Sequence, residues 1–472
     1  MWDSSIIANL LQGELYGSAT VPFQGGCTLD SRLVRAGEIF IALPGEKTDG
    51  HVYIAKAFTA GAAIVIAEKS RLKDYGLPVI PENKALIAVG SSREALQALA
   101  KAWREEINPL VIGITGSSGK TTTKDMVAAV LARKYRVHKN QENHNNEIGL
   151  PLTILQAAVH TEVLVLEMGM RGLNQINALC QICCPQIGVI TNIGTTHLEL
   201  LGSQEKIAQA KWELMENLPS DGVAVLNAED YYSVKLAGKF KQPLIFYGLE
   251  GRYTQPAVRG LNLRPAGSLH TSFTATAEGD STEVILPLPG EHNVLDALAA
   301  LAVGLKCGVP LEQGSQALAD FELSSMRLEI VPGTYGSTII SDVYNANPAS
   351  MLASLQVLAE RGGSKTIAVL GEMYELGEAA VSGHRQVGEA AARLGISQLV
   401  TVGRLAEEIA RGASAGGLAP ERIHTCGDCP EAAELTAQLL RESGEGSWIL
   451  VKGSRGMRME RITELLRKDK LQ

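Results

Sequence analysis

The residues with the most chemical content lie in GITGSSGKTTTK, positions 113–124. The run VIGIT predicts a short buried strand, GSSG a loop, and Lys120 followed by Thr121 the opening of a helix. Backbone N–H groups of such a loop point inward and cradle phosphates. The lysine adds a point charge for the terminal phosphates, and the threonine hydroxyl can ligate Mg2+. The strict pattern places a glycine five residues before Gly119, where this chain has Ile114. Its glycine is Gly116, so the loop is a shorter variant, T-G-S-S-G-K-T-T. Thr115, Gly116, Ser117, Ser118, Gly119, Lys120, Thr121 and Thr122 are therefore the expected binding residues for a nucleoside triphosphate. The plain alternative is a strand–turn–helix corner with a solvated lysine.

A magnesium nucleotide needs a carboxylate, and an apolar strand ending in an acid supplies one. TEVLVLEMG does so with Glu167, at the C-terminal end of a buried strand where α/β sites form. The next strand, VITNIGTTHLE, ends in a polar loop with Asn192 and His197. A lone histidine is more often structural, but this one follows a strand beside the expected Mg2+ site. ENHNNEIGLP packs Asn143, His144, Asn145 and Asn146 before a Gly-Leu-Pro stop, and spacing does not separate a solvated turn from a ligand loop. IAQAKWELMENL reads as a helix whose Lys211, taken alone, is a surface lysine.

These residues need elements to hold them. Residues 1–108 alternate strands (GEIFIAL, AAIVIAE, ALIAVG) with amphipathic helices (HVYIAKAFTAGA, REALQALAKAW), and Asn108-Pro109 breaks the pattern. From 109 to 329, strands at VIGIT, VLVLEMG, IGVITNI, GVAVLN and PLIFYG alternate with helices, which predicts a parallel sheet with helices on both faces. Within that span, 251–289 reads as β-rich and GEHNVLDALAALAVGLKCG as helical. From 330 to 472, STIISDVYNANP, KTIAVLGE, QLVTVG and SWILVKGS form a second doubly wound pattern. The expected fold class is thus α/β in three domains, 1–108, 109–329 and 330–472: a small N-terminal domain, a central phosphate-loop domain and a C-terminal Rossmann-like one.

Length agrees, since 472 residues exceed one compact domain. A formal charge of −8 and a pI near 5.7 argue against a nucleic-acid partner, so an anionic substrate requires local positive charge. MWDSSIIANLLQG carries no basic segment before an apolar run, and no stretch reaches the roughly 18 apolar residues of a membrane span. A cytoplasmic protein is expected. Seven cysteines include Cys180/Cys183, with Cys184 adjacent, and Cys426/Cys429; these pairs lie too far apart in sequence to suggest zinc and read as reduced structural residues.

TGSSGKTTTK, LEMG, TNIGTTHLE, IAQAKWE, NAED, GEHNVLDALAA and DVYNANPASM follow one another in the order found in the Mur ligases, the ATP-dependent amide-forming enzymes of peptidoglycan precursor synthesis. The resemblance runs from about residue 24 to the C-terminus. Within the family, DVYNANPASM, GEM…ELG and VKGSR look most like the members that join D-Ala-D-Ala to UDP-MurNAc-tripeptide. The Asp-Asn-Pro-Arg motif usual in the members that add the third amino acid is missing.

The resemblance implies further roles. Lys211 matches a lysine carried as a carbamate, which turns a cation into an anionic oxygen ligand; Thr121, Glu167 and His197 would complete the metal environment. His292 and Asn293 match the adenine-side motif, Arg327 an arginine that reaches the nucleotide phosphates, and Asp342 the acid that holds the ribose. Asn227 and Asp230 match a nucleotide-side motif. Tyr344, Asn345 and Asn347 fall in the neighbouring segment. The N-terminal domain resembles one that grips the UDP end, with Ser31, Arg32 and the stretch from Lys47 to His51 as candidates, and Asn143, Asn145 and Asn146 then become contacts for the sugar-peptide. Family members often have asparagine where this chain has Asp296, a departure that removes an amide donor; Asp296 is not expected to be a site residue.

The implied cofactors are ATP and Mg2+, and the implied catalytic group is Lys120, Lys211, His197 and Arg327. The implied reaction forms an acyl phosphate from the tripeptide carboxylate, which the dipeptide amine attacks; it needs no protein nucleophile. Closure of the last domain would bring Arg327 and Asp342 onto ATP. A monomer is the expected state, and the roles of His384, Lys452 and Arg455 are open. The rivals are another Mur-type ligase, a folylpolyglutamate synthase, and a nucleotide-binding regulatory module without ligase activity.

Overall fold

The structure, a computed structural model, describes residues 2–45, 48–141, 144–267, 270–321 and 326–468. Asn143 and Lys47 therefore lie outside the described residues. Three sheets in chain order carry the fold. Five strands between Glu14 and Val89 form the first, accompanied by a two-stranded pair, Trp2–Asp3 with Pro22–Phe23.

Helix Ser92–Ile107 then crosses to the second sheet. It starts on Ser91, whose Oγ accepts from Glu94 N, and stops at Asn108 in the left-handed region (φ 43°), just before Pro109. Asn108-Pro109 thus marks the start of the phosphate-loop strand, as its residue types suggest.

The central sheet has nine strands. Its order is Asp280–Leu286, His270–Ala277, Val258–Ala266, Leu244–Gly248, Val223–Asn227, Ile187–Ile190, Leu110–Thr115, Val163–Glu167 and Val137–Lys139. Pairing is parallel from Val137–Lys139 across to Val258–Ala266, then antiparallel through the last two strands. The five strands expected to form a parallel sheet do pair in parallel. The β-rich stretch 251–289 is the sheet's antiparallel extension, whose alternating burial fits a sheet covered on one face only.

The last sheet has six strands, ordered Glu329–Pro332, Thr338–Asp342, Trp448–Lys452, Thr366–Gly371, Gln398–Val402 and Ile423–Cys426, antiparallel only in the first pair.

The first two sheets share a core. Trp103 is 2 % exposed, packs against Phe23 (centroids 4.9 Å apart) and Trp2 (5.5 Å), and donates through Nε1 to Ala157 O at 3.0 Å. Around it, residues of the N-terminal sheet and of one face of the central sheet form one apolar cluster. The opposite face of the central sheet is covered by the phosphate-loop helix Lys120–Leu131 and helix Glu291–Lys306, packed on each other. All seven cysteines are free and only Cys184 is exposed; burial raises the thiol pKa of Cys180 to about 12 and of Cys307 and Cys426 to about 11.

Candidate active site

Strand Leu110–Thr115 lies between Ile187–Ile190 and Val163–Glu167, and the chain leaves its C-terminal end into the phosphate loop. Two glycines let that loop form. A Cβ at Gly116 would fall 1.8 Å from Thr191 Oγ1, and one at Gly119 would fall 2.5 Å from Asp296 Oδ1; Gly119 also has φ 78°. The neighbouring loop ties the far side. Asn192 Oδ1 accepts from Ser118 N at 3.0 Å, and Thr191 Oγ1 donates to Ser118 O at 2.6 Å. Ser117 Oγ accepts from Gly194 N at 2.9 Å.

Lys120 Nζ and Lys211 Nζ both donate to Gly116 O, each at 2.9 Å. Lys211, expected on residue type to be a surface lysine, is 2 % exposed and sits on the buried face of helix Gln204–Glu216. Burial, with Lys120 close by, holds its pKa well below that of an ordinary lysine. Burial also lowers Lys120, opposed by the Glu167 charge.

Thr121 Oγ1 donates to Glu167 Oε2 at 2.7 Å. The other carboxylate oxygen accepts from Asn145 Nδ2 at 2.8 Å, and Glu167 N donates to Asn140 Oδ1 at 2.7 Å. The Asn-rich loop therefore reaches the site through Asn145. Asn146 instead turns to the start of helix Gly149–Gln156, its Oδ1 accepting from Ile148 N at 3.2 Å and from Gly149 N at 2.8 Å. Thr121 and Glu167 are two hard-oxygen donors of the kind Mg2+ takes. His197 is turned elsewhere: its Nδ1 lies 2.9 Å from Glu375 Oε2 of the last domain, whose carboxyl it holds below the usual range. Among the described residues, no three His, Cys, Asp or Glu side chains converge as a metal cluster.

The last sheet closes the opposite wall. Register pairs Asp342 with Lys452 at neighbouring strand ends, and Lys452 Nζ forms a short ion pair with Asp342 Oδ2. Burial raises the Asp342 carboxyl, but Lys452 and the Ser354 hydroxyl (2.9 Å) outweigh it and hold the pKa below the ordinary value. The Arg327 guanidinium lies over the Tyr344 ring, 4.2 Å from its centroid. Asn347 caps helix Pro348–Gly362, and Asn345 O accepts from Lys452 Nζ at 3.1 Å.

His292 and Asn293 open helix Glu291–Lys306; burial drops His292 to about 4, leaving a neutral ring, and Asn293 Nδ2 donates to Pro289 O at 2.7 Å. Between these walls runs a cleft of about 390 Å3, lined by Ser117–Thr122, Thr191–Gly194, Asn227, Asp230, His292, Asn293, Asp296, Arg327, Asp342, Asn345, Asn347 and Lys452 among others.

Thr115 lies just behind this cleft, its Oγ1 donating to Met168 O at 3.0 Å. Ser31 and Arg32 stand apart in the N-terminal sheet region: Ser31 is buried, whereas Arg32 is exposed and paired with Asp30 at 2.5 Å. His51, in the segment proposed for the UDP end, is 4 % exposed and fixed between Asp49 and Glu68 N. His384 is fully buried and accepts from Met373 N at 2.9 Å, which makes it a structural histidine; Arg455 pairs with Glu460 at the surface.

Two cleft residues, Lys452 and Asp296, have no site role in the sequence reading. Lys452 carried the signal of ending a buried strand, as Glu167 does. Asp296 was set aside for being the wrong residue type, although its place on the helix repeat put it one turn after His292.

A phosphate loop facing an acid–lysine pair on a second α/β sheet defines a nucleotide-using enzyme with its site at a domain junction. Three family models match the chain in order: "Mur ligase family, catalytic domain" over 25–104, "Mur ligase middle domain" over 114–304 and "Mur ligase, glutamate ligase domain" over 326–455. The chain belongs to the Mur ligase family.

Among its relatives, the UDP-N-acetylmuramoyl-tripeptide–D-alanyl-D-alanine ligase of Bacillus subtilis is 38 % identical over 93 % of this chain and 92 % of its own. The crystal structure of MurF from Acinetobacter baumannii superposes with a TM-score of 0.85 at 29 % identity, covering 98 % of both chains. That of MurF from Thermotoga maritima in complex with ADP gives 0.78 at 28 % identity, covering 94 % of this chain and 97 % of the other.

Proposed function

We propose that the chain joins D-Ala-D-Ala to UDP-MurNAc-tripeptide, hydrolysing ATP to ADP and phosphate, in the cytoplasm and as a monomer. The observation that carries this reading is the cleft, where a phosphate loop and the Asp342–Lys452 pair face each other across one space. Relatives named for this reaction match nearly the whole chain. No described helix is long and apolar enough to cross a membrane.

In this reading the tripeptide carboxylate attacks the γ-phosphorus of ATP, breaking the bond to ADP and leaving an acyl phosphate. The D-Ala-D-Ala amine then adds to that carbonyl, loses a proton, and the tetrahedral intermediate expels phosphate. The protein aligns the partners and neutralises charge. Backbone N–H groups of 116–121 hold the phosphates, and Lys120 moves from Gly116 O onto them. Arg327, fixed by Tyr344, faces the same phosphates, and Asp342 receives the ribose. His292 and Asn293 flank the base. Thr121 and Glu167 would hold Mg2+, which would supply charge neutralisation on the phosphate oxygens.

Burial shifts Lys211 toward the neutral amine, the form that adds carbon dioxide with loss of a proton, and a carbamate there would present oxygens where Nζ now donates to Gly116 O. Ser31 and Arg32 serve the UDP end, Asn145 and Asn146 the sugar-peptide, and Tyr344, Asn345 and Asn347 the acceptor side. His197 acts in this scheme only after release from Glu375. The three domains are those bounded at 108/109 and 329/330.

The test is phosphate release on mixing protein, ATP, UDP-MurNAc-tripeptide and D-Ala-D-Ala. Release that needs all three substrates is expected. No phosphate with the full set, or equal phosphate without the dipeptide, would sink the reading. Carbon-13 bicarbonate gives a separate readout for Lys211: a carbamate resonance in the unmodified protein, lost in Lys211→Arg.

A further inference from the structure

Asp296 is a carboxyl group set against an anion-binding loop. It projects from helix Glu291–Lys306 onto the first turn of the phosphate-loop helix, is 6 % exposed and lines the cleft. Its Oδ1 accepts from Thr123 Oγ1 at 2.9 Å. Both carboxyl oxygens crowd Gly119, where a Cβ would come within 2.5 Å of Oδ1 and 3.0 Å of Oδ2.

No Lys or Arg nitrogen among the described residues lies within 4.0 Å of it. The charged and titratable groups around it are few. On its own helix, His292 is neutral at ordinary pH. From the phosphate-loop helix come the Thr123 hydroxyl and, across the loop, Lys120. From the neighbouring sheet comes Tyr247, whose hydroxyl donates to Thr191 O at 3.2 Å, with Asp230 beyond it. Across the cleft, Arg327 favours the charged carboxylate without touching it, and Asp342 is already matched by Lys452.

Above about pH 8 Asp296 is a carboxylate beside the loop, where its charge is met only by the Thr123 hydroxyl, the helix N-terminus and the more distant Arg327. A nucleotide brings its own negative charge to the same N–H groups, and two anions cannot share that desolvated space without a counter-charge. The Thr123 hydroxyl occupies Oδ1, which leaves Oδ2 as the oxygen free to carry a proton. We propose that Asp296 takes up one proton when nucleotide phosphates settle on the loop, the resulting carboxylic acid donating from Oδ2 into the cleft, so that nucleotide binding here is coupled to proton uptake. This rests on the reading of the cleft as the nucleotide site. Burial supports it independently by holding the Asp296 carboxyl at about 8 against an ordinary value of 3.8, opposed by Thr123 and Arg327.

The experiment is titration calorimetry of ADP with magnesium chloride into the full chain at pH 8.5, in two buffers of different ionisation enthalpy, with Kd followed from pH 7 to 9.5. The unmodified protein takes up more protons per ADP than Asp296→Asn, and its Kd rises about tenfold per pH unit above the midpoint while that of Asp296→Asn stays flat. Thr123→Val, which removes the hydroxyl that favours the charged form, moves the midpoint to higher pH. Equal proton uptake and parallel pH profiles in the unmodified protein and Asp296→Asn overturn the coupling. No uptake by the unmodified protein at pH 8.5 overturns it without recourse to a variant. Failure to bind ADP at any pH overturns the nucleotide reading of the cleft and this proposal with it.

Discussion

Gly116 has room for a hydrogen and nothing larger, because any Cβ would sit on Thr191 Oγ1. Gly116→Ala must move either the loop or Thr191, which itself holds Ser118 O. The expected result is a loss of about 1–3 kcal/mol in unfolding free energy and a weakening of ADP affinity of tenfold or more, read by denaturant titration and calorimetry. Lys120→Ala leaves the fold in place and removes the movable charge; kcat is expected to fall about 100- to 1000-fold in the phosphate-release assay.

Asp296 yields a stability prediction with a definite sign. Its pKa is about 8 folded and near 3.8 unfolded, so between those values the folded chain binds more protons, and stability falls as pH rises. The gain in Tm of Asp296→Asn over the unmodified protein should therefore grow from pH 5 to pH 8; a constant gain would contradict this. At this scale the chain was most legible where chemistry sits in one contiguous motif. It misled where a role depends on packing: Lys211 on its own reads as a surface lysine because nothing local signals that Gly116 O waits beneath it.

At the scale of elements, strands with long apolar runs were legible, and short or edge strands were not. Val137–Lys139 is three half-buried residues at the sheet edge, and Ile423–Cys426 alternates too weakly to stand out. The strand Glu329–Pro332 ends in a proline, a residue tolerated there because it lies on an edge. Helix Ser92–Ile107 carries the opposite lesson, since its apolar stripe predicts a buried face but not which sheet that face meets. Trp103 meets both. Trp103→Ala should cost about 3–5 kcal/mol, removing a large side chain and leaving Ala157 O without its donor. Thermal unfolding should show the first and second sheets destabilised together; loss confined to the first would contradict a shared core.

Across the whole molecule, the last domain touches the central one beyond the cleft. Arg361 donates to Gly267 O at 2.6 Å and to His270 O at 2.9 Å. At the turn Glu375–Gly377, Glu375 meets His197, and a Cβ on Gly377 would come 2.7 Å from that of Glu199. Gly377→Val, placed where φ is 54° and space is absent, should prise this contact open. Small-angle scattering is expected to give a larger radius of gyration for the variant without nucleotide, and steady-state kinetics a higher KM for ATP; an unchanged radius would show that the turn does not hold the domains together.

The shared apolar core around Trp103 also bears on how such a chain can change over generations. A unit with a self-sufficient interior can be exchanged between related genes like a cassette. Here the first hundred residues and the central sheet each complete the other's interior. A crossover at Asn108-Pro109 looks permissible from the loop, yet it would separate Phe23 and Trp103 from the surface that Ala157 presents to them. Change in the first unit is then expected to arise by point substitution within it, or by transfer of both units together.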